Sequence, residues 1–281
     1  MNLEHTTFNF AKKDAGNGVF LFVLTSLKNT VYQRIKVSQT KSLLICLHRF
    51  NTRQQPDYDL ENMKRKLSLN KVKVSRQTEI APGVFVLSFP RPWDFVAGQV
   101  LGIGAHETDE ARLYSIASGE LDDEVDILYN INPDGKLTPW LAKVNTGDNI
   151  WVSEPFGSFT GTGEPGWWIA SGTGIAPFSA MFRTGLTAGK KLLHGGRDLH
   201  SFYFHEKFKS TFGDNYVRCC SREEGPEIYP GRLTKYLSEQ EQLPANEKYY
   251  LCGSAEMVVE VRDLLISKGI PFNNIISEIY F

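Results

Sequence analysis

The chain has 281 residues, enough for one large domain or two of ordinary size, and 41% of them are hydrophobic. Its formal net charge is −1, so the overall charge gives no indication of a nucleic-acid-binding protein. The charge is unevenly distributed, because residues 1–76 carry 14 Lys or Arg against 5 Asp or Glu. This asymmetry predicts a local basic surface or tail in the first part of the chain.

The four cysteines, Cys46, Cys219, Cys220 and Cys252, contain no C-x-x-C pair. A zinc site or an iron–sulfur cluster built from this chain is therefore not expected. Adjacent cysteines are poorly placed to form a disulfide with each other, so we expect reduced thiols and a cytoplasmic protein. The most apolar run, residues 18–27, has about ten residues where a membrane span needs roughly 20, and no membrane contact is expected.

Residues 1–62 differ from the rest, because they mix short apolar runs with a polar stretch and contain no motif that we can interpret. Met63 opens the basic segment "MKRKLSLNKVKVSR", which leads directly into an alternating pattern. Two interpretations stay open: residues 1–62 are a genuine N-terminal extension of unknown role, or Met63 is the biological start. We favour the second, because everything interpretable follows Met63.

From about residue 71 to residue 163 the pattern is typical of an all-β domain. Six short segments bounded by Gly, Pro, Asp and Asn predict strands: "KVKVSRQTEI", "GVFVLSF", "QVLGIGAH", "RLYSIAS", "EVDILYNI" and "NIWVSE". Six strands at this spacing favour a small antiparallel barrel. One helix is predicted between them, from Thr138 to Val144, ended by Asn145 and Gly147.

After "GTGEPG" the pattern changes to strands that alternate with helices. The predicted strands are "WWIAS", "KKLLHGG", "NYVRCCS" and "KYYLCGS", and the predicted helices are "PFSAMFRTGL", "LHSFYFHEKFKSTF", "GRLTKYLSEQ" and "AEMVVEVRDLLISKG". Such alternation implies a parallel sheet. We therefore predict two domains, an antiparallel β-barrel at residues 63–163 and an α/β parallel-sheet domain at residues 164–281.

Arg112, Tyr114 and Ser115 stand within four positions of one predicted strand, in "DEARLYSIASGE". Alternation sends Arg112 and Tyr114 to one face of the strand and Ser115 to the other. A cation, a phenol and a hydroxyl at such short spacing raise the question of a bound ligand. An exposed polar edge strand would explain them equally well.

Gly172, Gly174 and Pro177 form a G-x-G-x-x-P turn between a predicted strand and a predicted helix. Glycine permits a tight turn and lets backbone N–H groups approach a phosphate, and Pro177 suits the first helical turn. A helix N-terminus with free N–H groups favours pyrophosphate. An ordinary loop between strand and helix is the alternative.

Two further strand ends carry candidate residues. Ser221, Arg222, Tyr229 and Arg232 follow a predicted parallel strand, where open α/β sheets bind ligands. Two guanidinium groups and a hydroxyl suit a 2′-phosphate, and Tyr229 suits an adenine ring. The alternative is a solvated loop in which Arg222 pairs with a neighbouring glutamate. Cys252 ends the last long strand, where a buried structural cysteine is the alternative.

In this order the motifs resemble the ferredoxin/flavodoxin–NADP(+) reductase family, compact bacterial type, over roughly residues 70–281. The resemblance implies a flavin barrel followed by a nicotinamide domain, with FAD and NADP as cofactors and no metal. It implies that Arg112 holds the flavin pyrophosphate, that Tyr114 packs on the isoalloxazine and that Ser115 lies near N5. Leu113 belongs to the same motif.

The resemblance also implies the remaining contacts. FAD would lie along Leu128, Tyr129, Lys136, Leu137 and Thr138. NADP would be bound by Gly172, Thr173, Gly174, Arg197, Ser221, Arg222, Tyr229 and Arg232. The implied catalytic residues are Ser115, Cys252, Glu278 and Tyr280, with Tyr280 over the flavin face and Phe281 extending one residue past it. The turn "SGELDDEVD" is too short to supply a long adenine-binding loop for FAD.

The implied function is an FAD-containing, NADPH-dependent reductase that exchanges electrons transiently with ferredoxin or flavodoxin, as a monomer or weak dimer. A reductase component for an oxygenase or a siderophore–iron complex is an alternative, as is a non-catalytic flavin-binding regulatory subunit. We expect a basic group near the exposed flavin edge to steer an acidic carrier: Lys64, Arg65, Lys66, Lys71, Lys73 and Arg76. An ordinary solvated basic strand would look the same in sequence.

Overall fold

The computed structural model describes residues 67–280, apart from the side chain of Tyr280. It also describes the backbone of three earlier strands, β1 (Thr7–Phe10), β2 (Val19–Ser26) and β3 (Asn29–Lys36), which form an antiparallel sheet in that order. Met63, the basic residues 64–66 and Phe281 lie outside the described residues. By its contacts the chain divides into two compact units, Met1–Arg65 and Lys66–Phe281, and the second unit carries every candidate site residue.

Residues 70–152 form two antiparallel sheets around one apolar core. Their strands are β4 (Asn70–Lys73), β5 (Arg76–Ala81), β6 (Val84–Pro90), β7 (Val100–Gly104), β8 (Arg112–Ser115), β9 (Glu124–Asn130) and β10 (Asn149–Val152). The larger sheet has the order β4-β10-β7-β8 and the smaller one β5-β6-β9, and a bridge between Ile116 and Ile127 joins them. Between the sheets lie fully buried apolar side chains, among them Leu87, Phe89 and Ile103.

Two predicted elements in this part have the wrong bounds. The segment 71–80 was predicted as one strand, but it forms β4 and β5 in different sheets. The chain changes sheet at Val74, whose N–H donates to the Asp148 carbonyl, while the next N–H donates to Ser88. Helix α1 (Leu137–Leu141) ends before Val144, because a three-residue turn from Leu141 to Val144 closes it.

Residues 166–280 form a six-stranded parallel sheet flanked by helices, as the alternating pattern predicts. The strands are β11 (Gly166–Ser171), β12 (Lys190–Gly196), β13 (Tyr216–Cys220), β14 (Ile228–Pro230), β15 (Lys248–Ser254) and β16 (Ile275–Tyr280), in the order β14-β13-β12-β11-β15-β16. The helices are α2 (Ala176–Arg183), α3 (His205–Phe212), α4 (Leu233–Glu239) and α5 (Ala255–Ser267). The predicted fold class, antiparallel strands followed by a parallel α/β sheet, is confirmed.

The helix predicted over residues 199–212 is interrupted. Leu199–Ser201 forms a short 3₁₀ turn, and Phe204 has a positive φ of 61°, a conformation that a right-handed helix does not contain. Only His205–Phe212 is helical. The short strand β14 has three residues and carries no alternation that could have predicted it.

The two parts share one continuous apolar cluster. Ala117, Leu128 and Phe159, from the first part and the segment that follows it, lie in the same cluster as Trp168 and Phe178 of the second. The ring of Phe159 meets that of Phe178 edge to face, with 5.9 Å between centroids. Residues 67–280 are therefore held together by buried contacts, and the division near residue 163 stays a prediction.

The turn after β11 packs directly on the end of β15. A Cβ at Gly174 would stand 2.3 Å from the Cys252 carbonyl oxygen, and one at Gly253 would stand 2.3 Å from Ser171 Oγ. Gly174 is thus required by packing against backbone, and Gly253 by packing against side chains and by its φ of 151°. For Gly174 this is a reason that the expected phosphate contact did not include. Gly172 is different: its φ is 55°, and a Cβ added there would meet no atom within 4 Å, so it leaves open space beside the turn.

We predict that Gly174→Ala destabilises the protein, because the added methyl group meets a carbonyl that belongs to a central strand and cannot easily move. The free energy of unfolding should fall by about 2–3 kcal/mol in urea denaturation. Gly163→Ala is the matched control, since a Cβ there meets no atom within 4 Å, and its effect should stay within about 0.5 kcal/mol. Equal effects of the two changes would contradict the packing argument.

Candidate active site

The structure brings three of the predicted catalytic residues together where the two parts meet. Ser115 ends β8, Cys252 lies on β15 and Glu278 lies on β16, directly opposite Cys252 in the strand register. The Ser115 hydroxyl donates to Glu278 Oε2 at 2.7 Å, across 163 residues of sequence. The Cys252 thiol donates to the same oxygen at 3.9 Å. Glu278 Oε2 therefore accepts hydrogen bonds from the antiparallel part, through Ser115, and from the α/β part, through Cys252.

Burial dominates the protonation of this carboxylate. It raises the pKa of Glu278 from its ordinary value of 4.5 to about 7, and the hydrogen bonds from Ser115 and Cys252 oppose the rise only in part. Ser115 and Cys252 are themselves buried. At neutral pH Glu278 is thus close to half protonated, which lets it accept or release a proton.

The remaining residues of the R-x-Y-S motif line the outer part of β8. Arg112 is exposed, and 54% of the Leu113 surface is accessible. Tyr114 is half-buried, and burial raises its pKa to about 12 against the opposing charge of Arg112. Its ring meets that of Tyr129 edge to face at 6.4 Å. The strand thus passes from an exposed cation to a buried hydroxyl within four residues.

Five predicted FAD contacts lie on β9 and α1. Leu128 and Tyr129 are buried in protein cores, and the Tyr129 hydroxyl donates to Gln77 Oε1 at 3.1 Å. Because both side chains are buried within the protein, a ligand at this strand would contact the backbone atoms of Leu128 and Tyr129. At α1, the Thr138 hydroxyl oxygen accepts from the Asn132 N–H at 2.8 Å. Lys136 and Leu137 begin this helix without a side-chain cap.

At the carboxyl edge of the parallel sheet, three predicted nucleotide contacts lie on adjacent strand ends. Arg197 follows β12, and Ser221 and Arg222 follow β13. All three are exposed, and the Ser221 N–H donates to the Gly196 carbonyl at 3.1 Å. The pairing of Arg222 with Glu223 or Glu224 considered from the sequence is not among the ion pairs of the described residues, and Glu223 accepts from the Leu199 N–H at 2.8 Å.

Tyr229 and Arg232 already have partners within the protein. The Tyr229 hydroxyl donates to Glu239 Oε2 at 2.6 Å, and the ammonium of Lys235 lies 5.5 Å from its ring centroid. Arg232 forms ion pairs with Glu256 at 3.5 Å and Glu260 at 3.6 Å. A nucleotide phosphate would compete with these carboxylates for Arg232.

The described basic residues lie on two strands of the antiparallel part, Lys71 and Lys73 on β4 and Arg76 on β5. Lys71 and Lys73 are exposed on β4, which is the opposite edge of its sheet from β8. Arg76 pairs with Glu124 at 3.4 Å. The expected position of this group near the exposed flavin edge stays a prediction. The predicted contacts of Tyr280 and Phe281 fall outside the described side chains.

One site-building residue was missed by the sequence analysis. Ser179 on α2 donates to the Ala117 carbonyl at 2.8 Å and so ties the segment after Ser115 to the α/β part. A single serine in a helix pattern carries no sign of such a long-range partner. Within the described residues, no His, Cys, Asp and Glu cluster suits a metal ion, and no helix is both long and apolar enough to span a membrane.

Comparison with known proteins gives the family. A family model for the oxidoreductase NAD-binding domain matches residues 168–263. The toluate 1,2-dioxygenase electron transfer component of Pseudomonas putida is 28% identical over 196 residues, 66% of this chain and 58% of that protein. The flavodoxin/ferredoxin–NADP reductase of Rhodobacter capsulatus is 26% identical over 220 residues, 66% of this chain and 80% of that protein. These similarities support the ferredoxin–NADP reductase family for this chain.

Members of this family are electron-transfer flavoprotein reductases. A solved ferredoxin NADP⁺ reductase from Neisseria gonorrhoeae, with bound FAD and NADP, has the same fold, with a TM-score of 0.70 and 21% identity. The match covers 76% of this chain and 99% of that one. The chain spans a little under 60% of the length of the oxygenase reductases that it matches, including that of toluate 1,2-dioxygenase.

The raised pKa of Glu278 predicts a pH-dependent stability difference for Glu278→Gln. Ionising the buried carboxylate disfavours the folded state, so the wild type loses stability as the pH rises from about 4.5 through about 7. The glutamine cannot ionise. The variant should match the wild type at pH 4 and be more stable by about 1–3 kcal/mol at pH 8.

The measurement is urea denaturation of both proteins, freed of flavin, across that pH range. Ser115→Ala sharpens the test, because losing its hydrogen bond should raise the pKa of Glu278 further and move the transition to higher pH. A stability difference between Glu278→Gln and wild type that is the same at every pH would rule out titration of Glu278 in this range.

Proposed function

We propose that this protein is an FAD-dependent reductase that takes electrons from NADPH and delivers them to ferredoxin or flavodoxin. The observation that carries the proposal is the contact of Ser115 with Glu278 beside Cys252. This contact joins β8, which resembles a flavin-binding strand, to β15 and β16 at the proposed nucleotide-binding edge of the parallel sheet. A hydride donor and a hydride acceptor need this kind of junction.

The residues present suit FAD along β8. Arg112 offers an exposed guanidinium for a pyrophosphate, Leu113 an exposed apolar side chain and Tyr114 the edge of a ring. FAD, when bound, supplies a hydride acceptor that can release electrons one at a time. Ser115 would orient the reacting edge through its hydroxyl. Glu278, with a pKa near 7, would hold or release the accompanying proton at its Oε2 atom.

The residues at the sheet edge suit a pyridine nucleotide in an extended conformation. From the end of β13, which carries Ser221 and Arg222, to the end of β15, which carries Cys252, the sheet order crosses β12 and β11. These three strand intervals span roughly 14 Å at about 4.8 Å each. The open space at Gly172 lies between the two ends and leaves room for phosphates. Cys252 would form the wall against the nicotinamide.

A reductase component of an oxygenase is the second candidate. Its support is the match to the electron transfer component of toluate 1,2-dioxygenase and to the reductase component of propane 2-monooxygenase. Both candidates use the same flavin and nucleotide chemistry, and they differ only in the acceptor. The choice therefore depends on which protein docks.

The test is to purify the protein, measure bound flavin by its absorbance and add NADPH or NADH without oxygen. We expect FAD to be present and its absorbance near 450 nm to bleach, as for flavins in general, on addition of NADPH. Acidic ferredoxin, flavodoxin and an oxygenase component are then offered in turn as acceptors. A flavin that stays oxidised with both nucleotides would overturn the proposal and favour a regulatory subunit.

Arg112→Ala should weaken FAD binding, because it removes a charge-assisted partner of the pyrophosphate that costs about 1.5–3 kcal/mol to lose. The variant should purify with less flavin, and dilution should release the rest. Lys73→Ala is the control, as an exposed cation on the opposite edge strand of the same sheet. Full flavin occupancy of Arg112→Ala under dilution would exclude this role for Arg112.

Arg222→Gln should raise the KM for NADPH by roughly tenfold or more, the loss expected for one charge-assisted contact, and should leave the KM for NADH nearly unchanged. Arg232→Gln is the matched control and should have a smaller effect, because Arg232 already pairs with Glu256 and Glu260. Steady-state kinetics with both nucleotides measures the difference. Equal losses with NADPH and NADH would mean that Arg222 does not recognise the 2′-phosphate.

A further inference from the structure

The turn at residues 118–126, which is too short to reach a distant adenine, docks on the C-terminal end of α2. Arg183, the last residue of α2, donates through Nη1 to Asp126 Oδ2 at 2.5 Å and pairs through Nη2 with Asp122 Oδ2 at 2.7 Å. Only 8% of the Asp126 side chain is exposed. The guanidinium thus spans two carboxylates of the antiparallel part, a fixed planar arrangement that a lysine could not reproduce.

The backbone of the turn also touches α2 directly. A Cβ at Gly119 would stand 3.0 Å from the Cβ and the carbonyl carbon of Arg183, so only glycine lets the turn come this close without a shift. The next N–H, of Glu120, donates to Thr184 Oγ1 at 3.1 Å. These contacts hold the turn against the helix independently of the ion pairs.

Hydrogen bonds continue from this contact to the strand end that carries Ser115. The Asp126 carbonyl accepts from the Ala117 N–H at 2.8 Å, and the Asp126 N–H donates to Ser118 Oγ at 3.0 Å. The Ala117 carbonyl in turn accepts from Ser179, one helical turn before Arg183. Among the described contacts, the segment 115–118 is therefore linked to the α/β part through Glu278, through Ser179 and, by way of Asp126, through Arg183.

Helix α2 connects this contact to the nucleotide edge. It begins at Ala176, directly after the Gly172–Ile175 turn that packs on β15, and ends at Arg183. Eight residues of helix are about 12 Å long and rigid at this scale. A shift of the antiparallel part at Arg183 would thus change the distance between Ser115 and the Cys252 strand end.

We propose that Arg183 is a positioning residue for hydride transfer: by clamping Asp122 and Asp126 it fixes Ser115, on the flavin side, relative to Glu278 and Cys252, on the nucleotide side. The proposal rests on the reductase function proposed above. Arg183 touches neither cofactor site, and its effect is on the rate of transfer rather than on nucleotide affinity. A displacement of about 1 Å between reacting groups is enough to slow a reaction by roughly a hundredfold.

The surrounding charges determine which variants are informative. Arg183→Met alone would leave the buried Asp126 carboxylate with Arg76 at 3.7 Å and the Ser88 hydroxyl at 2.6 Å. That imbalance could unfold the protein for reasons unrelated to position. Arg183→Met combined with Asp126→Asn removes the charge of the arginine together with that of its buried partner. Arg183→Lys keeps the positive charge but cannot contact Asp122 and Asp126 through two guanidinium nitrogens. Arg262→Met is the control, since that arginine pairs with its neighbour Asp263 on α5.

The experiment is single-turnover reduction of the flavin-loaded proteins by NADPH or NADH, followed over a range of nucleotide concentrations. We expect the limiting rate to fall at least about tenfold in Arg183→Met/Asp126→Asn, with the nucleotide Kd within twofold of wild type. The limiting rate of Arg183→Lys should lie between that of wild type and that of the double variant, and the limiting rate of Arg262→Met should match wild type. A wild-type limiting rate in the folded double variant, or a loss confined to Kd, would overturn the proposal.

A second readout does not depend on the reaction. Amide hydrogen exchange at Ile116 and Ala117 should be faster in the double variant than in wild type and Arg262→Met, because the segment loses its link through Asp126 to Arg183. Unchanged exchange there would overturn the clamp even if the rate fell. If wild-type flavin is not reduced at all, the reductase function fails while the exchange experiment still decides the clamp. Failure of both Arg183 variants to retain flavin would assign the arginine to folding alone and would also overturn the proposal.

Discussion

The buried contact between the antiparallel sheets and the parallel sheet is the constraint on which the site depends. Ser115 and Glu278 are 163 residues apart in sequence. Their hydrogen bond alone does not offset the conformational entropy lost when two such distant segments are brought together. The apolar cluster that contains Leu128, Phe159 and Phe178 supplies the burial that holds the two parts together. The hydrogen bond between Ser115 and Glu278 then specifies their alignment rather than supplying most of the stability.

The same contact explains how a carboxylate can have a pKa near neutrality. Removing Glu278 from water raises its pKa, and within the described part of the chain two donors, Ser115 and Cys252, offset the cost of its charge in part. A fuller set of donors would have returned the pKa toward its ordinary value. Residues 162–164, which lead into the parallel sheet, are held by another buried group, since the Lys190 ammonium at the start of β12 donates to the carbonyls of Thr162 and Glu164. The approach of the chain to the α/β part is therefore fixed by buried hydrogen bonds.

Local pattern predicted the order and type of the elements well, because alternation and strand–helix repetition are properties of neighbouring residues. Predictions from local pattern were wrong where tertiary contacts determine the backbone conformation. Val74 turns the chain between sheets through a bond to Asp148, and Phe204 breaks a helix with a positive φ. Gly174 matched a phosphate-loop pattern, yet its packing against the Cys252 carbonyl is what excludes a side chain. Glycine at position 174 thus meets both the phosphate-loop pattern and the packing requirement, and the sequence alone does not tell these two apart.

The site residues were predicted through a family resemblance, and the structure adds what joins them. Arg183 and Asp126 are 57 positions apart and belong to no periodic pattern, so no sequence feature indicates their contact. In the proposed reductase, the chemistry and the choice of acceptor depend on different regions of the molecule. Ser115, Cys252 and Glu278 lie in a buried junction whose geometry the proposed reaction requires, whereas an electron acceptor would dock on exposed residues. Under this proposal, such a fold keeps one reaction while its docking surface changes from one electron acceptor to another.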